Sequence, residues 1–143
     1  MASVVDVAKY ILLQQGKMST WKLQKLCFYS QAWAIAWTEN PLFDEEFEAW
    51  SNGPVCPILF SKHKGRFMID YDGLRGDEEQ LSDDEKDTIN IVLKDYGDMA
   101  PYDLREQTHQ EEPWQKAREG VPDGCPSNNV ISKNAMGSFY GSL

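Results

Sequence analysis

The sequence has 143 residues and a mass of 16.4 kDa, which fits one compact domain. With 41% hydrophobic residues, including 5 Trp, 6 Tyr and 6 Phe, the chain has enough bulky side chains to fill a core, and global disorder is excluded. The net charge of −9 repels phosphate backbones and anionic lipids, which disfavours generic binding to nucleic acids or membranes.

The first helix is predicted to begin after Ser3, which has the spacing of a capping motif with Asp6. Apolar residues then recur at helical spacing until Gly16. Ser19 or Thr20 can cap a second helix that runs to about residue 38 and is apolar nearly all round. We expect this second helix to be the central, most buried element.

A small hairpin is predicted to follow. Residues 43–50 alternate loosely as in a strand, and Ser51-Asn52-Gly53-Pro54 has the composition of a turn. Pro54 can occupy the first turn of a third helix that ends at Gly65. The stretch from Phe67 to Tyr71 is interpreted as the second strand, paired with the first.

The C-terminal half carries the entire acidic excess of the chain. Residues 65–143 hold seventeen acidic and eight basic side chains, and seven of the eleven residues from Asp77 to Asp87 are acidic. Ser82 and Glu85 match a capping box, which predicts a helix ending at Gly97. The acidic run is typical of a solvated loop and a helix N-terminus.

Three shorter helices are expected near the C-terminus. Pro101 opens one that ends near Thr108, and Pro113 opens another over residues 114–118. A weak helix over residues 132–140 is expected to be interrupted at Gly137. The predicted fold class is therefore mainly α: a compact single-domain helical fold over residues 1–143, with a buried central helix and a small β-hairpin.

Few residues offer reactive chemistry. The three cysteines form no C-x-x-C pair and suit a reducing cytoplasm, where we expect the protein to act. His109 stands near Glu111 and Glu112, but this pattern lacks further metal ligands at a readable spacing. We predict no catalytic residue, no metal site and no cofactor. Lys17, Lys22 and Lys25 are interpreted as a solvated helix face, since three lysines release too few counterions to hold nucleic acid on an acidic protein.

Four segments, in order, carry a family resemblance. They are residues 7–12 (V-A-K-Y-I-L), residues 22–31 (K-L-Q-K-L-C-F-Y-S-Q), F-E-A-W at 47–50 with G-P-V at 53–55, and Thr108-His109 with Pro113-Trp114. With these segments the chain resembles the SocA-like Panacea domain family over residues 4–118. The segment 120–143 diverges from the family pattern, and Cys27 replaces the aromatic or aliphatic residue that is common there.

The resemblance implies an antitoxin that binds and neutralises a cognate toxin in a bacterial or phage toxin–antitoxin system. Some relatives act as adaptors that deliver the toxin to a protease-chaperone, so this alternative stays open. A metal-dependent enzyme built on His63, His109, Cys27 and the surrounding carboxylates is the less favoured alternative. The family's partner toxins are diverse, and the fold alone does not name the target.

Candidate partner-binding residues form three groups. Asp83, Asp84 and Glu85 would attract a basic surface, such as that of a toxin that handles RNA or nucleotides. Aromatic anchors and the family motifs add Trp50, His109 and Trp114. Segment 22–31 and Thr108-His109 are interpreted as parts of the scaffold of the fold rather than as partner contacts. Phe139 and Tyr140 lie among Gly and Ser, a composition that can stay mobile until a partner orders it.

Overall fold

The computed structural model describes all 143 residues. Seven helices surround one core, and five short strands form two small antiparallel sheets. In chain order the elements are α1 (Val4–Gln15), β1 (Met18–Ser19), α2 (Thr20–Thr38), β2 (Phe47–Trp50), β3 (Gly53–Val55), α3 (Pro57–His63), β4 (Met68–Ile69), α4 (Asp83–Tyr96), α5 (Pro101–His109), α6 (Glu112–Ala117), β5 (Val130–Ile131) and α7 (Lys133–Gly141).

The first two helices begin at the predicted caps. The Ser3 hydroxyl accepts a hydrogen bond from the Asp6 N–H, and the Asp6 carboxylate accepts one from the Ser3 N–H, at 3.2 and 2.9 Å. The Ser19 hydroxyl accepts from the Lys22 N–H at 3.1 Å. Each side chain thus pairs an N–H group that the first helical turn leaves without an intrahelical partner.

Helix α2 is the central element, as predicted. It packs against α1, α4, α5 and α7, and twelve of its residues are buried. Tyr29, at its middle, stacks on Tyr96 of α4 with ring centroids 4.1 Å apart, and Phe28 meets Phe47 of β2 edge to face. Such aromatic pairs stabilise the core beyond the apolar area they bury. No helix of the structure combines the length and the apolar character needed to cross a bilayer.

The hairpin is tighter than predicted. β2 pairs with β3 directly across the turn at Ser51-Asn52, and β5 adds a third strand on the other side of β2. Pro54 therefore lies in β3, and α3 begins at Pro57 rather than at Pro54. The predicted pairing of residues 67–71 with β2 is wrong: Met68 and Ile69 pair instead with β1, because the residues next to the turn already occupy that edge of β2.

The later helices follow the prediction except at one glycine. α4 begins with the predicted capping box of Ser82 and Glu85, and α5 and α6 begin at or beside their prolines. Gly137 does not interrupt α7. A Cβ at this position would lie 3.0 Å from Cγ2 of Ile35, so the glycine lets α7 lie close against α2. The fold class is confirmed: a mainly helical single domain with a buried central helix and a small hairpin.

Candidate functional site

Two buried glutamines on α2 hold the surrounding loops. The Gln24 amide accepts from the Cys56 N–H at 2.8 Å and donates to the Cys56 carbonyl at 3.3 Å. The Gln31 amide accepts from the Leu42 N–H at 2.7 Å and donates to the Phe43 carbonyl at 2.8 Å. Each amide pairs with backbone groups as a neighbouring strand would. These contacts support the scaffold role expected for this part of α2.

Lys25 is buried beside them, under the β2–β3 turn. Only 3% of its surface is exposed, and its Nζ donates one hydrogen bond, to the Pro54 carbonyl at 3.2 Å. Gly53 allows this approach: its φ is +116°, and a Cβ there would lie 2.6 Å from Lys25 Cε. Burial, and then the charge of Arg105, lowers the pKa of Lys25 to about 7. None of the three salt bridges in the structure involves Lys25.

The predicted solvated face of Lys17, Lys22 and Lys25 is therefore wrong for Lys25. Lys17 is exposed and Lys22 is half-buried. Lys25, in contrast, is covered by the β2–β3 turn. Helical periodicity places Lys22 and Lys25 near each other on α2, but it carries no information about a loop from another part of the chain. The one signal for such a close approach is Gly53 itself, next to Pro54.

An open cleft lies at the N-terminal end of α2. It has a volume of about 430 Å³ and is bounded by α2, the β2–β3 turn, α3 and the loop before β4. We call it the aromatic cleft. No aspartate or glutamate lines it. Its aromatic and cationic lining residues are Trp21, Trp50, Phe60, Phe67, Lys25, Lys64 and Arg66.

Hydrogen bonds fix the walls of the aromatic cleft. Thr20 holds the loop before β4, since its N–H donates to the Phe67 carbonyl at 2.9 Å and its hydroxyl donates to the Arg66 carbonyl at 3.1 Å. The Gln24 amide nitrogen lies 3.0 Å from His63 Nε2. Because that amide nitrogen can only donate, His63 Nε2 accepts and the ring is neutral. Burial also lowers the pKa of His63. The positive charge of the cleft therefore comes from its lysines and arginine.

A second cleft lies beside the first. It has a volume of about 370 Å³ and contains Arg105, His109, Trp114 and Arg118; we call it the arginine cleft. Arg118 is buried and donates to the carbonyls of Ala49, Pro122 and Cys125, at 2.8, 3.2 and 2.6 Å. Since three backbone oxygens occupy its guanidinium, Arg118 serves to hold the 120–125 loop against the hairpin.

His109 forms one wall of the arginine cleft. Its ring stacks on that of Trp114, with centroids 3.9 Å apart, and its Nε2 is buried with no hydrogen-bond partner. Burial, and then the charge of Arg105, lowers the pKa of His109 to about 4. The imidazole is therefore neutral at neutral pH.

The two clefts are joined through the hairpin. Ser51 lines both of them, and the Trp114 indole donates to the Trp50 carbonyl at 2.9 Å. The sequence-predicted residues Trp50, His109 and Trp114 are thus brought into one neighbourhood. Trp50 lies in the aromatic cleft, whereas His109 and Trp114 lie in the arginine cleft.

The predicted acidic group lies elsewhere. Asp83 and Asp84 are exposed at the start of α4, and Asp84 and Glu85 border a depression next to Thr38, at the C-terminal end of α2. From Trp21 to Thr38 the axis of α2 rises about 25 Å, so the acidic group and the aromatic cleft lie at opposite ends of the central helix. Glu85 also closes the α4 capping box by accepting from the Ser82 N–H at 2.9 Å.

The prediction of a mobile segment around Phe139 and Tyr140 is wrong, because these residues lie in α7. Tyr140 is buried in α7, and its hydroxyl donates to Glu111 Oε1 at 2.7 Å, as does the hydroxyl of Tyr29. Phe139 is half-buried against the Tyr140 ring. Met136 and Tyr140 are one helical turn apart and both face the core, so they form an apolar stripe. The Gly- and Ser-rich composition of the segment gives no indication of this stripe.

Glu111, named from the sequence only as a neighbour of His109, is buried, and the sequence does not predict this burial. Its carboxylate accepts two tyrosine hydroxyls and, at 3.2 Å, the Gln107 side-chain amide. Burial raises the pKa of both Tyr29 and Tyr140 far above the usual range, so both remain donors at every physiological pH. Nothing in the polar stretch around Glu111 indicates that two tyrosines from distant helices will bond to its carboxylate.

The residues of the metal-dependent alternative do not gather. His63 bonds to Gln24, His109 stacks on Trp114, and Cys27 is fully buried. No three His, Cys, Asp or Glu side chains are placed where they could jointly hold a metal ion.

Comparison with known proteins assigns the family. Residues 23–115 match the family model described as "Antitoxin SocA-like, Panacea domain". The match covers more than half of the chain, from the first turn of α2 to α6, and includes Lys25, Gly53, His109 and Trp114. No curated protein and no solved structure gives a significant match. The chain therefore belongs to the SocA-like antitoxin family and contains its Panacea domain.

Proposed function

We propose that this protein is the antitoxin of a bacterial or phage toxin–antitoxin system and that it neutralises its cognate toxin in the cytoplasm by direct binding. The observation that carries the proposal is membership of the SocA-like antitoxin family. In this proposal the chain makes and breaks no covalent bond. It acts by covering a surface that the toxin needs.

The aromatic cleft supports a binding role. Trp21 and Phe67 expose 44% and 73% of their surface next to a cavity of about 430 Å³. Large aromatic side chains at the centre of an interface usually carry much of the binding free energy. The hydrogen bonds of Thr20 and Gln24 hold the cleft walls, so little ordering is needed when a partner binds.

The acidic start of α4 is proposed as a second, electrostatic contribution. It would attract a basic toxin surface that handles RNA or nucleotides, and so raise the association rate more than the final affinity. Replacing Asp83 and Asp84 by Lys is expected to slow association at low salt severalfold. Glu85 is left intact because it caps α4. The control is Asp95→Lys with Asp98→Lys, two exposed carboxylates at the other end of the helix.

The proposal is tested by growth rescue. The chain is co-expressed in bacteria with the product of the gene that neighbours its own, under separate inducible promoters. Restored growth, with co-purification of the two proteins, is expected. If the neighbouring product arrests growth and the antitoxin neither restores it nor co-purifies, the proposal is wrong.

Toxin abundance separates direct blocking from delivery to a protease. Direct blocking predicts that toxin measured by immunoblot persists in rescued cells. An adaptor would instead lower the toxin level, and rescue would then depend on the host protease-chaperone.

A further inference from the structure

We infer that the aromatic cleft binds a short segment of the partner protein in which an acidic residue stands next to an aromatic or large aliphatic residue. The inference rests on the proposed function and specifies its contact surface. Three features carry it: a buried lysine without a carboxylate partner, a lining free of acidic residues, and exposed aromatic side chains.

Lys25 supplies the recognition of a carboxylate. An ammonium has three N–H donors, and only one is used here, towards the Pro54 carbonyl. A buried charge without an opposite charge is unfavourable. A carboxylate entering the cleft would supply both the missing charge and a missing acceptor. Burial of Lys25 lowers its pKa to about 7, and a bound carboxylate would hold it in the charged form.

The charge of the cleft contrasts with that of the whole protein. Lys64 and Arg66 lie at its rim and no aspartate or glutamate lines it, although the chain has a net charge of −9. An acidic peptide segment can enter this local basic region and end within it. A nucleic-acid strand would extend beyond this local basic region over a protein whose net charge is −9, so the overall charge favours a short peptide.

The aromatic side chains supply the apolar half of the recognition. The rings of Trp50 and Phe60 lie 5.1 Å apart and form one wall, while the exposed Trp21 and Phe67 lie on other parts of the lining. A volume of about 430 Å³ falls in the usual range of ligand pockets and admits a large side chain from the partner. One apolar side chain beside one carboxylate therefore fits both features of the cleft.

The experiment uses a phage-displayed library of random twelve-residue peptides, selected on the full-length protein. Enriched peptides are synthesised with a fluorescent label, and their affinities are measured by anisotropy. The variants are Lys64→Glu and Trp21→Ala, both at exposed or rim positions whose side chains make no hydrogen bond in the structure. The control is Lys62→Glu, an exposed lysine in the last turn of α3, two residues before Lys64, that does not line the cleft.

The expected peptides carry Asp or Glu next to an aromatic or large aliphatic residue. Lys64→Glu and Trp21→Ala should each weaken their binding at least tenfold, and Lys62→Glu less than twofold. Lys25→Met should weaken binding as well, provided that its circular dichroism matches the wild type. The inference is overturned if no peptide is enriched, if enriched peptides lack acidic residues, or if Lys64→Glu and Lys62→Glu bind alike. It is also overturned if labelled octauridylate binds this cleft more tightly than the selected peptides.

Growth rescue separates this inference from the proposed function. A double variant combines Lys64→Glu and Trp21→Ala. If the wild type and this double variant rescue toxin-expressing cells equally well, the cleft inference fails while the antitoxin function stands. If the wild type does not rescue, the proposed function fails whatever the peptides show. Rescue by the wild type that is lost in the double variant, with Lys62→Glu still active, supports both.

Discussion

Lys25→Met is the substitution whose effect follows most directly from the structure. Methionine has nearly the length of lysine and keeps its apolar contacts, but it removes the buried charge and the hydrogen bond to Pro54. The wild-type lysine is held at a pKa of about 7 in the folded protein by burial and then by Arg105, against 10.5 for the unperturbed group. The variant has no titrating group at this position.

The sign and size of the effect follow from proton linkage. Between pH 7 and 10.5 the unfolded chain holds a proton on Lys25 that the folded chain has lost, so a rise in pH across this window favours the folded state. The free energy of unfolding of the wild type should therefore gain about 2.5 kcal/mol from this group between pH 6.5 and 9.0. Other groups titrate in both proteins and cancel in the difference. The lost hydrogen bond to Pro54 changes stability by a constant of about 1 kcal/mol.

The assay is urea unfolding followed by tryptophan fluorescence at pH 6.5 and 9.0. The stability of Lys25→Met relative to the wild type should fall by about 2.5 kcal/mol on going to the higher pH. Lys22→Met is the control, because it removes a half-exposed lysine from the same helix and should change stability by less than about 0.5 kcal/mol at either pH. If the free energies of unfolding of Lys25→Met and the wild type differ by the same amount at both pH values, the account of Lys25 is refuted.

Three further substitutions test the packing that positions the site, each by urea unfolding. Tyr140→Phe removes one donor to the buried Glu111 and should lower stability by about 1–2 kcal/mol; a change below 0.3 kcal/mol would show that this hydrogen bond contributes nothing. Gly137→Val places a branched side chain where a Cβ alone is 3.0 Å from Ile35, and should cost about 1–3 kcal/mol, whereas equal or greater stability would contradict the close α2–α7 contact. Gln31→Ala leaves two buried backbone groups without their partner and should cost about 2–3 kcal/mol, so a neutral result would mean that they are paired in another way.

Much of the fold is readable from local signals in the sequence. Ser3 and Ser82 with their partners three residues later predict where α1 and α4 begin, because capping depends only on neighbouring residues. The apolar character of residues 23–37 predicts that α2 is central. Strand pairing fails where it is non-local: Met68 and Ile69 meet β1 across about fifty residues, and nothing in their own sequence specifies that partner.

The candidate site is less readable, for the same reason. Trp50, His109 and Trp114 are found by motif and residue type, and the fold brings them together around Ser51. Lys25 escapes detection because its burial is imposed by a turn that lies far away in sequence. The burial of Tyr140 in α7 and the role of Glu111 likewise depend on contacts between residues that are far apart in sequence.

Inhibition of the toxin by the purified protein tests the central claim most directly. The toxin identified by growth rescue is assayed alone for its own activity, and the antitoxin is titrated in with no protease or chaperone present. Direct neutralisation predicts that toxin activity falls to the background at a fixed molar ratio and that intact toxin is recovered from the complex. Toxin activity that is unchanged by a large excess of antitoxin, while the same pair still restores growth in cells, would contradict the account.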